Sequence, residues 1–68
     1  MKSFGEWLKD AREAKGLTKE QLGAAAGITA STVGQIERGE IKRPPMKRLE
    51  GFAKALGIKV ETVVAKLK

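Results

Sequence analysis

Apolar residues at Leu22, Ala26, Ile28, Val33 and Ile36 fall in two groups on either side of Gly27. Within each half their spacing is three or four, the repeat of one face of an α-helix. Gly27 can adopt the left-handed backbone that a tight inter-helical turn needs, so the pattern predicts two short helices joined by a three-residue break. Helices joined this tightly cross steeply and present the second outward from the body, in a form that fits the DNA major groove. Three more glycines, Gly16, Gly39 and Gly57, each follow an apolar-periodic run, where a helix C-terminus wants one.

These stops divide the chain into five helices. The first is predicted over residues 4–15, with Ser3 and Glu6 at capping-box spacing and Phe4, Trp7, Leu8 and Ala11 on one face. The second starts after Thr18, with Gln21 three residues on, and ends near Ala26. The third covers residues 30–38 behind Thr29. The fourth opens at the Pro44-Pro45 pair and buries Leu49, Phe52, Ala53 and Leu56. The fifth spans residues 60–67 with a stripe of Val60, Val63, Val64 and Leu67; its β-branched content leaves a terminal strand as the competing reading. The expected fold is all-α, a compact five-helix bundle forming a single domain over residues 1–68. Repeats and low-complexity tracts are absent, and the longest loop is residues 39–43.

Composition narrows the chemistry. In 68 residues there is no cysteine and no histidine, which excludes disulfides and ordinary zinc sites, and no cofactor is implied. The opening MKSFGEWLKD lacks the apolar run of a signal peptide, and no segment approaches the roughly 20 apolar residues of a membrane span. The expectation is therefore a cytoplasmic protein, associated with the nucleoid through DNA and not with membrane. The net charge of +6 is uneven. Residues 1–34 hold five bases and four acids, whereas residues 35–68 hold nine bases and four acids. Arg38, Lys42, Arg43, Lys47 and Arg48 face only Glu40, and this cluster directly follows the outward-held helix. A positive patch in that position predicts a polyanion partner.

On the third helix, Val33, Ile36 and Glu37 point together toward the body, leaving Ala30, Ser31, Gly34, Gln35 and Arg38 on the opposite side. Gln bonds an adenine edge in bidentate fashion, Ser serves several bases, and a small apolar side chain meets a thymine methyl. Thr29 and the free amides that follow it suit a phosphate. Gly34 admits two readings, close approach to a groove or an unoptimised surface position. Glu37 is an odd charge for an inward face, and Arg12 borders the inward side of its own helix. An Arg12–Glu37 ion pair tying the first helix to the end of the third is predicted; two unrelated surface charges are the alternative. Lys19, at a helix N-terminus, and Lys42 and Arg43, after the third helix, are placed to grip the DNA backbone on either side of a groove. Lys47 and Arg48 either extend that grip or keep the fourth helix soluble. Phe4, Trp7 and Phe52 are the only aromatics, and all read as core, against single-strand binding.

The stretch LTKEQLGAAAGITASTVGQIERGEIKRP resembles the helix-turn-helix of the phage repressor and Cro family, and LEGFAKALGIKVETVV resembles that family's fourth and fifth helices. The resemblance covers nearly the whole chain and rests on the joint pattern of Leu22, Gly27, Ile28, Val33, Ile36-Glu37 and Gly39. It implies a five-helix domain that binds operator DNA as a two-fold dimer. Base readout falls to Ala30, Ser31 and Gln35, and backbone contacts to Lys19, Thr29, Arg38, Lys42 and Arg43; the Arg12–Glu37 pair also fits. Four positions depart from the pattern. Lys19 stands where Gln is frequent, Gly23 where Ala is common, Ala30 where a long polar reader is expected, and Lys59 where a Ser or Pro usually opens the fifth helix.

The function these residues point to is sequence-specific binding of double-stranded DNA by a transcriptional regulator, a repressor acting as a homodimer on an inverted repeat. An antitoxin-like interaction module with autoregulatory DNA binding is the alternative, with the stripe of the last helix meeting a protein partner. An enzyme is disfavoured because no two acids are placed around an obvious shared substrate.

Overall fold

The computed structural model describes residues 2–68; residue 1, part of the expected 1–68 domain, lies outside them. The first two helices start by one device. At α1 (Phe4–Ala14) the Ser3 hydroxyl accepts from the Glu6 amide at 3.2 Å while the Glu6 carboxylate accepts from the Ser3 amide at 2.9 Å. At α2 (Lys19–Ala26) Thr18 and Gln21 make the same reciprocal pair at 3.0 and 2.8 Å. Each box satisfies helix-end donors that would otherwise face only water.

Gly27 ends α2 with φ 74° and ψ 29°. Its left-handed backbone lets the Ile28 amide return to the Gly23 carbonyl at 2.9 Å and the Gly27 amide to Ala24 at 3.4 Å, closing a Schellman turn. Thr29 then starts α3 (Ala30–Glu37) by accepting from the Thr32 amide at 3.2 Å. The same pair of bonds closes α3 at Gly39, from Glu40 to Gln35 and from Gly39 to Ile36.

The fourth helix begins later than the proline pair suggested. Pro45, with ψ 155°, stays outside α4 (Met46–Leu56) as an extended cap without a side-chain bond, and the Pro44 ring is buried. A proline disfavours helical backbone in the residue before it, so Pro45 keeps Pro44 out of the helix. The last segment is helical, α5 (Val60–Ala65), ending short of the predicted residue 67. A lone strand there would find no partner for its amides, since no strand occurs among the described residues. Helical phase instead puts Val63 fully inside, with Val60, Val64 and Leu67 partly buried against the core. Lys59 caps α5 without a side-chain bond, so this short helix rests on packing alone.

Phe52, Leu8, Leu22, Ile36, Val33 and Val63 form the fully buried centre of a body measuring 25 × 24 × 22 Å. Phe4 and Phe52 are core, but Trp7 sits only half-buried at its margin. Its ring lies 5.8 Å from Phe4, with the Lys66 ammonium 5.9 Å above it. The Lys66 ammonium stands over the ring as a cation–π pair.

Glycines also set how closely the helices cross. A methyl on Gly23 would stand 2.5 Å from the Ile28 carbonyl oxygen and 3.2 Å from the Thr29 backbone. One on Gly5 would overlap the Ile36 and Glu37 carbonyls, and one on Gly51 the backbone of Ala25 and Ala26. The crossing therefore needs a residue without a side chain at Gly23, where alanine is common. Gly23→Ala should lower stability by about 1–3 kcal/mol through overpacking, although alanine is favoured in a helix interior by about 1 kcal/mol. Urea denaturation checks this, and an unchanged or raised midpoint would refute it.

Candidate nucleic-acid interface

Everything on α3 is referred to the body by its inward side. Val33 and Ile36 are buried, and Glu37, the inward charge, is met by Arg12 from α1. Arg12 Nε donates to Glu37 Oε2 at 2.7 Å and Nη2 to Oε1 at 3.2 Å, a two-pronged contact. Its remaining nitrogen, Nη1, donates to the Leu17 carbonyl at 2.8 Å in the turn between α1 and α2. Both side chains are more than nine-tenths buried, at 9% and 3% exposure. The Glu37 hydrogen bonds raise the Arg12 pKa above its ordinary value, outweighing the opposing effect of burial. One guanidinium thus ties three segments together and leaves none of its buried side-chain nitrogens unpaired.

Ala30, Ser31 and Gln35, expected to face paired bases, differ in exposure. Ser31 is exposed, while Ala30 and Gln35 are half-buried. Thr29, exposed at the start of α3, spends its hydroxyl on capping and also lies 3.0 Å from the Thr32 hydroxyl. Lys42 and Arg43 are exposed in the connection to α4, and among the described residues neither pairs with a carboxylate. Lys19, half-buried, extends from the first residue of α2 toward α3. Arg38 is exposed and holds Glu40 through Nε at 2.8 Å. That exposed pair is of the kind worth little in water.

Two features of this surface do not follow the sequence expectation. Arg48 neither extends the cation row nor simply solubilises α4. Its Nη1 donates to the Ala26 carbonyl at 3.0 Å, satisfying an orphan acceptor where α2 ends. A positive charge there also suits the negative end of the helix dipole. Gly34, on the outward side by phase, is nevertheless buried, covered by side chains of α2 and α3. The Arg48 bond depends on α4 crossing α2, for which spacing along the chain carries no signal, whereas Gly34 is covered by Arg38, four residues on, and by Lys19 of α2.

The helix-turn-helix family matches residues 8–63, which takes in all of α2 and α3. The chain belongs to the Cro/C1-type helix-turn-helix family. This is a family of DNA-binding proteins and not of enzymes. An HTH-type transcriptional repressor, RghR, of Bacillus subtilis (strain 168) is 36% identical over 66 residues, covering 97% of this chain and 49% of that protein. RghRB of the same organism, described as an uncharacterized HTH-type transcriptional regulator, is 32% identical over 65 residues, covering 96% and 47%. The chain therefore spans about half the length of these curated relatives. No solved structure matches it. Among the described residues, no helix is long and apolar enough to cross a membrane, and no group of acidic side chains could hold a metal.

Within this helix-turn-helix, the Arg12–Glu37 pair should behave as a unit. Arg12→Met or Glu37→Leu alone should each cost about 3–5 kcal/mol by stranding a buried charge, and the double substitution far less than their sum. A double-mutant cycle, run with sulfate to keep the weaker variants folded, measures the coupling; additive losses would overturn it.

Proposed function

We propose that this chain binds double-stranded DNA sequence-specifically and regulates transcription, as a repressor that occupies an inverted-repeat operator as a homodimer. The observation that carries the proposal is the outward side of α3, with Ser31 exposed and Ala30 and Gln35 half-buried, followed by Lys42 and Arg43, which have no carboxylate partner among the described residues. Base edges in a major groove meet that edge, with Gln35 reading one base pair, Ser31 a neighbour, and the Ala30 methyl contributing apolar contact to a thymine. Lys19, Thr29, Arg38, Lys42 and Arg43 hold sugar-phosphate on both sides and set the register.

The relative named as a transcriptional repressor supports the regulatory role. In a two-fold pair the recognition helices would lie about 34–36 Å apart in successive major grooves. The operator would then mirror the protein's symmetry. Acting on chromosomal DNA, such a regulator works in the cytoplasm at the nucleoid. Because Ala30 cannot hydrogen-bond, part of the discrimination passes to Gln35 and to the shape of the duplex.

Selection of bound sequences from random duplexes tests this reading, with a palindromic consensus as the expected result. On the selected site, Gln35→Ala should cost about 1–3 kcal/mol and relax preference at one base pair, whereas Arg43→Ala should weaken all duplexes alike and flatten the salt dependence. Equal losses on selected and scrambled DNA for Gln35→Ala would remove its assigned role. Indifference to every duplex at low ionic strength would remove the function.

A further inference from the structure

Gly34 occupies the middle of α3 on its outward side, where a helix gains from any residue with a side chain. Its backbone does not require glycine, because φ is positive only at Gly16, Gly27, Gly39 and Gly57. Nor is the backbone of a neighbouring helix among the atoms nearest to it. At Gly5, Gly23 and Gly51 an added methyl would meet another segment's backbone, whereas at Gly34 the three nearest atoms belong to the ends of two basic side chains. Arg38 Nη1 lies 2.9 Å from that methyl position, Arg38 Cζ 3.8 Å and Lys19 Nζ 3.7 Å. Two cations from different helices thus converge on one spot, and Lys19 has no carboxylate partner there among the described residues. Glu40 engages Arg38 through Nε, from where Nη1 still reaches Gly34. Glu40 offsets part of the Arg38 charge, while the like charge of Lys19 beside it favours a further anion at this spot.

We propose that Gly34 is a positioning residue: lacking a side chain, it lets Arg38 and Lys19 close over α3 as a two-cation cradle for a single phosphate of duplex DNA. The proposal rests on the DNA-binding reading above and adds the reason for a glycine at this point. A methyl at Gly34 pushes the Arg38 guanidinium outward and opens the gap between the cations, while α3 itself gains from the better helix former. Stability and binding therefore move in opposite directions, which a general packing defect would not produce.

The test compares wild type, Gly34→Ala, Arg38→Ala and the double variant in the full chain, by thermal melting and by affinity for a selected duplex and a scrambled one across salt concentrations. For Gly34→Ala the expected result is a raised melting temperature, affinity weakened roughly three- to tenfold on both duplexes, and a salt slope shallower by about one. With Arg38 already replaced, the glycine substitution should have little further effect on binding. Unchanged affinity in Gly34→Ala, a lowered melting temperature, or a loss confined to the selected duplex would each overturn the proposal while leaving the DNA-binding reading intact. Failure of the wild type to bind either duplex would instead defeat that reading itself.

Discussion

Backbone meets backbone at both ends of α3, and the rest of the molecule is arranged around those two contacts. Gly23 brings α2 against Ile28 and Thr29 at the start of α3, and Gly5 brings α1 against Ile36 and Glu37 at its finish. Main-chain atoms cannot change rotamer, so these crossings define the position of α3 more sharply than interdigitated side chains would. Val33 and Ile36 fill the space between them, and the buried Arg12–Glu37 pair adds a directional restraint at the far end. Desolvation offsets much of the attraction in such a pair. Its main consequence is geometric: the orientation of α3 relative to α1 is held by two parallel hydrogen bonds.

The basic residues divide between two kinds of work. Arg12 is buried and saturated, and Arg48 bonds to the end of α2, so both serve the fold. Lys42 and Arg43 stand clear in the loop after α3, while Lys19 and Arg38 lie along its outer surface. A small domain has little apolar area with which to hold itself together. Here guanidinium groups, each able to satisfy several carbonyl or carboxylate oxygens, supplement the apolar centre at the helix ends and crossings.

What could be read from the chain was mostly local. Ser3 with Glu6, Thr18 with Gln21, and the glycines that close the helices act within a few residues of themselves, so spacing sufficed to find them. The exposure of Ser31 followed from helical phase alone. The closeness of Arg12 to Glu37 was legible because each stood out as a charge beside an apolar face, and one explains the other. Arg48 bonding to Ala26, and Gly5 or Gly51 lying under a neighbouring backbone, had no such signature. They exist only once α4 has crossed α2 and α1 has crossed α3. At Val60, Val63 and Val64 local preference was ambiguous, and the lack of any sheet to join decided it. The proline pair misled by one step, since Pro44 is accommodated by burial ahead of the helix.

Arg48's bond to the end of α2 bears on how many ions leave the duplex when this protein arrives. Each phosphate neutralised contributes about 0.9 to the exponent that relates affinity to salt on double-stranded DNA. A guanidinium committed to a main-chain carbonyl forms no ion pair with a phosphate, and so displaces no condensed sodium or potassium of its own. The formal charge of +6 thus overstates the ionic stoichiometry of binding, which is set by the few side chains whose positive ends still face water.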